Sequence, residues 1–360
     1  MSASENWRLI DTGLRPAAQN IALSRALLEA RQADEIPSTL RFLRFTAAAL
    51  LGARQSAEQE FDLDYCRARG IIAQRRITGG GAAYTDESQL GWELYLHARD
   101  VGAPGGQGIA RRLCHAAATA ISALGVDARY RPGNEVEVDG RRLAGASIVS
   151  DGSALLFQGT LLLDWDLAAM LRVLRMPAGK PFETAVALVG ERETTLKALL
   201  GRPPDVALLK RYLTEAYESE FGVEFSEGDL TLSEHARYQA ALREFDAGGW
   251  VGCVARPASE MPIMEAAQTF SGGLLRATVM FETATQTIRQ VWFTGDFAAN
   301  PRRTVPDLEA ALRDLPVSRL ARRIEWFFRS RPAAIPALRP EDFVTVVRRA
   351  VGRPLLVRNS

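Results

Sequence analysis

The sequence predicts a mixed α/β (α+β) protein in two parts: a large domain on a mixed or antiparallel sheet flanked by helices, then a small α/β accessory domain. Three observations carry this expectation. At 360 residues and 47% hydrophobic, the chain is long enough and apolar enough to bury two cores. Two Asp-Gly pairs, at 139–140 and 151–152, punctuate three runs rich in strand formers, and Asp-Gly favours the turns whose twist suits a hairpin. Last, helical patterns between about 195 and 245 give way to "GGWVGCVARPASEMP" and then to a second hairpin. The expected boundaries are 1–250 for the large domain, 251–262 for a linker and 263–360 for the small domain.

In chain order, "PAAQNIALSRALLEARQ" predicts a helix, with Leu23, Leu27 and Ala30 at helical spacing. "TLRFLRFTAAALLG" predicts one or two strands. "GAPGGQG", 102–108, predicts a flexible loop with few side chains to pack. The helix "IARRLCHAAATAISAL" follows and stops at Gly125, a common C-terminal cap. Next comes an antiparallel meander, with "RRLAGASIV" between "NEVEV" and "ALLFQGTLLL", so that Arg142 and Gln158 lie on neighbouring strands. "ETTLKALLG", "DVALLKRYLTEAYESEFG" and "LSEHARYQAALREFDAG" read as helices. Beyond the linker, "GLLRATVMFE" and "IRQVWFTGDF" flank "TATQT" as a hairpin, and Thr304, three residues before Asp307, predicts a capping-box start to a helix.

A net charge of +1 points to neither nucleic acid nor an anionic membrane surface. Cys66, Cys114 and Cys253 lie far apart and form no CxxC pair, so zinc and disulfide frameworks are not expected. "MSASENWRLIDTG" has no basic stretch leading into an apolar one, and no apolar run is long enough to span a bilayer; a cytoplasmic protein is expected. Arginine supplies 41 of the 44 cationic residues, a bias that tempers any argument from a single arginine. Residues 301–360 hold 13 arginines against 6 acids. That excess reads either as a solvated helix face or as a dock for an acidic partner.

Two stretches carry candidate chemistry. In "RRITGGGAAYTD", Gly79, Gly80 and Gly81 bare backbone amides, and Arg75 and Arg76 can neutralise a carboxylate or phosphate. The alternative is a glycine-rich turn with solvated arginines. It is neither a Walker loop nor a dinucleotide fingerprint. In the meander, "RLAG" places Gly145 inside a strand, where glycine marks close approach of backbone or ligand, or simply a plain sheet with an outward arginine. His97, His115 and His235 are scattered and form no hydrolase or metalloprotease motif.

Together, in this order, these stretches make the chain resemble the lipoate–protein ligase A family of the biotin and lipoate ligase superfamily. "RRITGGGAAYTD" resembles the family's R-x-S/T-G-G-G-A-V-x-H-D loop. "GNEVEVDGRRLAG" is similar to its N-D…(D/N)-G-(K/R)-K-(I/V)-x-G segment, and "QGTLLLD" to its H-G-T/S-(I/L)-L strand. "IRQVWFTGDFAANP" resembles the G-D-F-F segment of the accessory domain. The resemblance implies a biotin/lipoate-ligase-like fold and ATP-dependent lipoate ligation. In that reaction lipoate attacks ATP, with Mg2+, to give lipoyl-AMP. A lysine of a lipoyl domain or a glycine-cleavage-H-like protein then takes the acyl group.

It implies Arg142, standing where the family has lysine, as the catalytic residue. It implies contacts to the adenylate from Arg76, Thr78, Gly79, Gly80, Gly81, Ala82, Tyr84, Thr85, Asn134, Gly145, Ala146, Gln158, Gly159 and Thr160, and Glu135 as a magnesium ligand. Two alternatives stand beside it. One is a lipoate- or lipoyl-domain-binding protein that has lost catalysis, because arginine is not equivalent to lysine. The other is an octanoyltransferase of the same superfamily. That chemistry runs through a cysteine acyl-enzyme, and no cysteine lies between 115 and 252.

Overall fold

The computed structural model describes residues 6–101, 107–175, 182–246, 249–254, 261–271, 273–297, 299, 301, 303–331, 335 and 338–352. Most of the glycine-rich loop expected at 102–108 and positions 255–260 of the expected linker lie outside the described residues. The chain divides into two compact units: Met1–Leu50, Glu58–Ile77 and Ala83–Val251 in the first, and Leu51–Ala57, Thr78–Ala82 and Gly252–Ser360 in the second. The triple-glycine loop thus belongs to the unit that carries the C-terminal segment, although in sequence it sits within the large domain.

The first unit is built on a mixed sheet. Its strand order is Glu224–Glu227, Asn6–Arg15, Thr39–Phe45, Gln89–His97, Ala154–Leu162, Arg141–Asp151, Glu135–Val138 and Arg129–Arg131. Asn6–Arg15 runs parallel to both of its neighbours, and the remaining pairs are antiparallel. The meander is as expected, and both Asp-Gly turns place glycine at positive φ (Gly140 +75°, Gly152 +56°).

Helices cover the sheet on both faces. Ala17–Gln32 and Leu232–Asp246 pack with Ile10, Tyr95, Val149 and Leu156. Gln107–Ser122 and Val206–Phe221 pack with Trp92, Phe157 and Leu161 on the opposite side. Helix Val206–Phe221 is defined at both ends: Asp205 accepts a hydrogen bond from the Leu208 amide (3.0 Å), and Gly222 closes it in the left-handed region. A smaller antiparallel pairing sets Ala48 opposite Thr85 and Ala49 opposite Tyr84.

Four elements differ from expectation. The N-terminal strand Asn6–Arg15 has too ragged an alternation to announce itself, yet Trp7 and Ile10 are core. Glu224–Glu227 is a strand inside a stretch read as helical; four residues, half of them glutamate, give no period to detect. Leu167–Val173 and Phe182–Arg192 are helices that the pattern did not show. The first strand is held by a buried ion pair, in which Arg8 Nη1 donates to Glu234 Oε2 at 2.9 Å. Burial would raise the Glu234 carboxyl, but Arg8 and the Thr231 amide hold it below the usual carboxylate range.

The second unit has its own antiparallel sheet, in the order Ile263–Phe270, Gly273–Glu282, Thr287–Gly295 and Leu315–Pro316. Helices Thr304–Ala311, Leu320–Ser330 and Pro340–Val351 enclose a core that includes Phe281, Phe293, Phe297, Phe327 and Phe343. Here "GDF" has a packing explanation. A side chain at Gly295 would come within 1.9 Å of the Leu274 carbonyl oxygen, Asp296 accepts from the Leu274 amide at 2.5 Å, and Phe297 is core.

Arg54 joins this unit through Glu309 (2.9 Å) and the Phe293 carbonyl (3.2 Å). Burial pushes the Glu309 carboxyl up, against the pull of Arg54. Thr304 is not the expected cap: the helix starts at Thr304 itself, Arg303 precedes it without a side-chain cap, and the Thr304 hydroxyl is buried without a partner. Among the described residues no helix is long and apolar enough to cross a membrane.

Candidate active site

In a strand, alternate side chains point to opposite faces, and this divides the expected site. Register places Arg41 opposite Glu93, Glu93 opposite Gln158 and Gln158 opposite Ser147, a polar row across four strands. The row faces helix Ala17–Gln32, since Asn20 and Ser24 of that helix meet it. Arg41 Nη2 donates to Asn20 Oδ1 at 2.6 Å, and Ser24 Oγ lies 2.7 Å from Glu93 Oε1.

Glu93 is fully buried and receives four donors. Ser24 and Gln158 Nε2 (2.6 Å) reach Oε1, while Arg41 Nη1 (2.9 Å) and the Tyr95 hydroxyl reach Oε2. Burial, with Glu93 beside it, raises the Tyr95 phenol well above its ordinary value, so it stays a donor. Isolated charges in a dry interior are costly; this pair is tolerated because each polar atom meets a partner. Sequence reasoning missed Arg41, Glu93, Tyr95 and Ser24; for Arg41 and Glu93 the only signal is a charge within an otherwise apolar strand, and Tyr95 and Ser24 carry none.

The next row on the same face is Leu43, Gly91, Thr160, Gly145 and Glu135. A side-chain carbon at Gly145 would lie 3.6 Å from Arg142 Nη1, so the guanidinium sits against a bare stretch of strand. Arg142 is about one-third exposed and pairs with Glu193 and, at 3.6 Å, with Glu135. Thr160, Gly145, Gln158 and Arg142 therefore share one face. Gly159 and Ala146 do not: they oppose each other on the other side, where a side chain at 159 would strike the Trp92 ring at 2.3 Å. The smallness of Gly159 makes room for an indole.

Asn134 adopts φ +63°, a conformation asparagine tolerates, and its carbonyl accepts from the Ala146 amide (2.8 Å). Glu135 does not fit a magnesium site. Arg131 Nε and Nη2 hold its Oε2 at 2.8 and 2.6 Å, and Arg142 approaches Oε1. Among the described residues no group of three or more His, Cys, Asp and Glu side chains is placed to hold a metal.

Around the glycine loop the two arginines separate in role. Arg75 is buried and fastens backbone: its guanidinium donates to the carbonyls of Trp250 (3.1 Å) and Val251 (2.5 Å). Arg76 donates to the Leu50 carbonyl at 3.2 Å, and burial pushes its guanidinium down to about 10. Thr85 is buried, and Tyr84 is half-buried with its phenol raised by burial and by Asp86.

In the second unit, Thr78 is buried and its carbonyl accepts from Ala53 (2.9 Å); Gly80 has φ +97°, and a side chain at Gly52 would strike the Gly80 carbonyl at 2.0 Å. Part of the triple glycine is thus a backbone-on-backbone contact. Gly81 is exposed and Gly79 buried, with Ala82 intermediate.

Two of the three thiols are disfavoured as nucleophiles by burial. Cys66 and Cys114 are buried, and burial raises both; Cys114, with Glu135 adding to the effect, is pushed up to about 12. Cys253 is exposed and belongs to the second unit.

The model of the lipoyl protein ligase A/B catalytic domain matches residues 16–218, more than half of the chain. The chain belongs to this family. Octanoyltransferase LipM of Symbiobacterium thermophilum is 30% identical over 261 residues, 66% of this chain and 94% of that protein. In fold, the chain is similar to a bipartite lipoate protein ligase from Thermoplasma acidophilum, described alongside its E2 lipoyl domain. That likeness has TM-score 0.61 and 24% identity over 70% of this chain and 98% of that one. LipL1 of P. falciparum, in complex with lipoate, gives TM-score 0.72 at 14% identity, over 96% of this chain and 99% of that one. The octanoyltransferase overturns the expectation of ATP-dependent lipoate ligation. That expectation leaned on the accessory domain and on the missing cysteine, and neither outweighs a relative aligned over nearly its whole length.

Proposed function

We propose that this chain is an octanoyltransferase, moving a medium-chain acyl group from a thioester donor to the ε-amine of a lysine on a lipoyl domain. The observation that carries the reading is the alignment with octanoyltransferase LipM over 94% of that protein. The acceptor class is the one named beside the bipartite ligase of the same fold; a glycine-cleavage-H-like protein would present the same lysine chemistry. The donor arrives activated, so neither ATP nor Mg2+ takes part. The buried thiols favour direct transfer over an acyl-enzyme. The amine nitrogen forms the C–N bond, the C–S bond breaks, and the amine's proton leaves with the thiol. Arg142, a donor only, faces the carbonyl oxygen, where negative charge builds in the tetrahedral state.

Incubation with octanoyl carrier protein and a lipoyl domain, followed by mass spectrometry of the acceptor, tests this. One octanoyl group gained without ATP is the expected result, and gain only with ATP overturns it. A non-catalytic acyl binder is favoured by one observation, the pairing of Arg142 with Glu193; octanoate binding with no modified acceptor selects it.

A further inference from the structure

We infer that Glu309 is the positioning residue of the triple-glycine loop: acting through Arg54, it sets the shape in which that loop meets the acyl donor. The inference rests on the proposed acyl transfer for the identity of the ligand. It gives a part in that reaction to a residue outside the matched family domain, since Arg54 and the glycines lie within 16–218 and Glu309 does not.

A run of glycines does not hold a shape unaided, because glycine loses more freedom on ordering than any other residue. Here the support is the edge of a sheet. Strand Thr287–Gly295 pairs with Gly273–Glu282 along its length but meets Leu315–Pro316 only at Thr287 and Ile288. Its far end is therefore an open edge with main-chain groups to satisfy, and Arg54 is fastened there. The Gly295 amide donates to the Arg54 carbonyl at 3.0 Å, and Arg54 Nη2 donates to the Phe293 carbonyl at 3.2 Å. Glu309 Oε1 accepts from Arg54 Nη2 at 2.9 Å and from the Phe293 amide at 2.7 Å. One carboxylate oxygen thus closes a ring of contacts between strand, arginine and helix Thr304–Ala311, and both charged side chains are mostly buried.

The residues before Arg54 carry this order to the loop. The Ala53 amide donates to the Thr78 carbonyl at 2.9 Å, and a side-chain carbon at Gly52 would fall 2.0 Å from the Gly80 carbonyl oxygen, so two backbones lie in direct contact. Gly80, at φ +97°, is glycine because the turn needs it. Gly81 is different. Its φ lies outside the left-handed region, it is exposed, and a side-chain carbon there would meet nothing nearer than Asp296 at 4.0 Å. Neither conformation nor packing asks for glycine at 81, and close approach of a ligand does. The fixed glycine and the open one are adjacent, so the contact at Gly80 aims the opening at Gly81.

The test uses the full chain, octanoyl carrier protein, a lipoyl domain and hydrogen exchange read by mass spectrometry. In Glu309→Ala the amides of 78–82 should exchange roughly tenfold faster than in the wild type, the size of one hydrogen bond to a charged group. Those of helix Pro340–Val351, in the same unit, should stay within about twofold. The KM for octanoyl carrier protein should rise roughly tenfold and the KM for the lipoyl domain should not change. Glu309→Gln keeps an acceptor for the Phe293 amide and loses only the charge facing Arg54, so its loop exchange should rise by less, about threefold. Loop exchange equal to that of the wild type in both variants overturns the inference, as does a rise shared by Pro340–Val351. A faster loop with both KM values unchanged also overturns it, because the loop then meets no donor. If Glu309→Ala does not fold, Glu309→Gln decides alone. A wild type that transfers nothing sinks the proposed function, while the exchange comparison still decides whether Glu309 holds the loop.

Discussion

One face of the large sheet carries a row of charge and the other a layer of rings, and alternate residues of the same strands lay down both. Trp92, Phe157 and Leu161 face helices Gln107–Ser122 and Val206–Phe221, whereas Glu93, Gln158 and Arg41 face helix Ala17–Gln32. The ring face needs only shape: Gly159 is small because an indole lies over it, and Trp92 Nε1 finds Tyr217 at 2.8 Å. The charged face needs a full set of partners, because each unpaired group would cost more than a lost contact. The comparison teaches that "QGT" serves two faces at once, with Gln158 and Thr160 on the charged face and Gly159 packed against the rings.

Three substitutions sharpen that contrast. The largest effect should come from Arg41→Leu, which leaves Glu93 buried without its cation. A loss of roughly 3–5 kcal/mol is expected in urea unfolding, and a loss below about 1 kcal/mol would mean that the row is wetter than its burial indicates. Gly159→Ala should cost roughly 1–3 kcal/mol by overpacking against Trp92. Its near-ultraviolet circular dichroism should change, since the indole must shift; an unchanged spectrum with full stability would place the indole elsewhere. Smallest in stability is Gly145→Ala, where the added carbon meets only an ordinary contact with Arg142. Unfolding should move by no more than about 0.5 kcal/mol, while transfer falls at saturating donor. Unchanged transfer would remove Gly145 from the site.

Much of this was legible in the sequence. The meander was, because Asp-Gly turns are local and glycine's positive φ has a residue-level signature. So were the longer helices, whose apolar spacing repeats often enough to read. Partnerships across the fold were not. Ser24 and Glu93 are 69 positions apart, and Arg41 and Glu93 are 52 apart; nothing local marks an arginine and a glutamate as a buried pair. The same limit hid the work of Arg75, which looks like an anion-binding residue beside glycines and in fact secures the backbone at Trp250 and Val251. It also hid the attachment of 51–57 and 78–82 to the second unit. The enzymatic assignment went astray where an absence, the missing cysteine, was given more weight than overall likeness.

The strand Asn6–Arg15 is flanked by Thr39–Phe45, one helix further along the chain, on one side and by Glu224–Glu227 on the other, with Arg8 meeting Glu234 across 226 positions. Closing so long a loop has an entropic cost that grows only slowly with length, but the closure must wait for the distant segment to exist. On a ribosome adding roughly 5–20 residues per second, the stretch from Arg15 to Glu224 takes roughly ten seconds or more to make, and until then that side of the strand lacks its partner. An early-made strand edge left unpaired that long is a natural client for a chaperone.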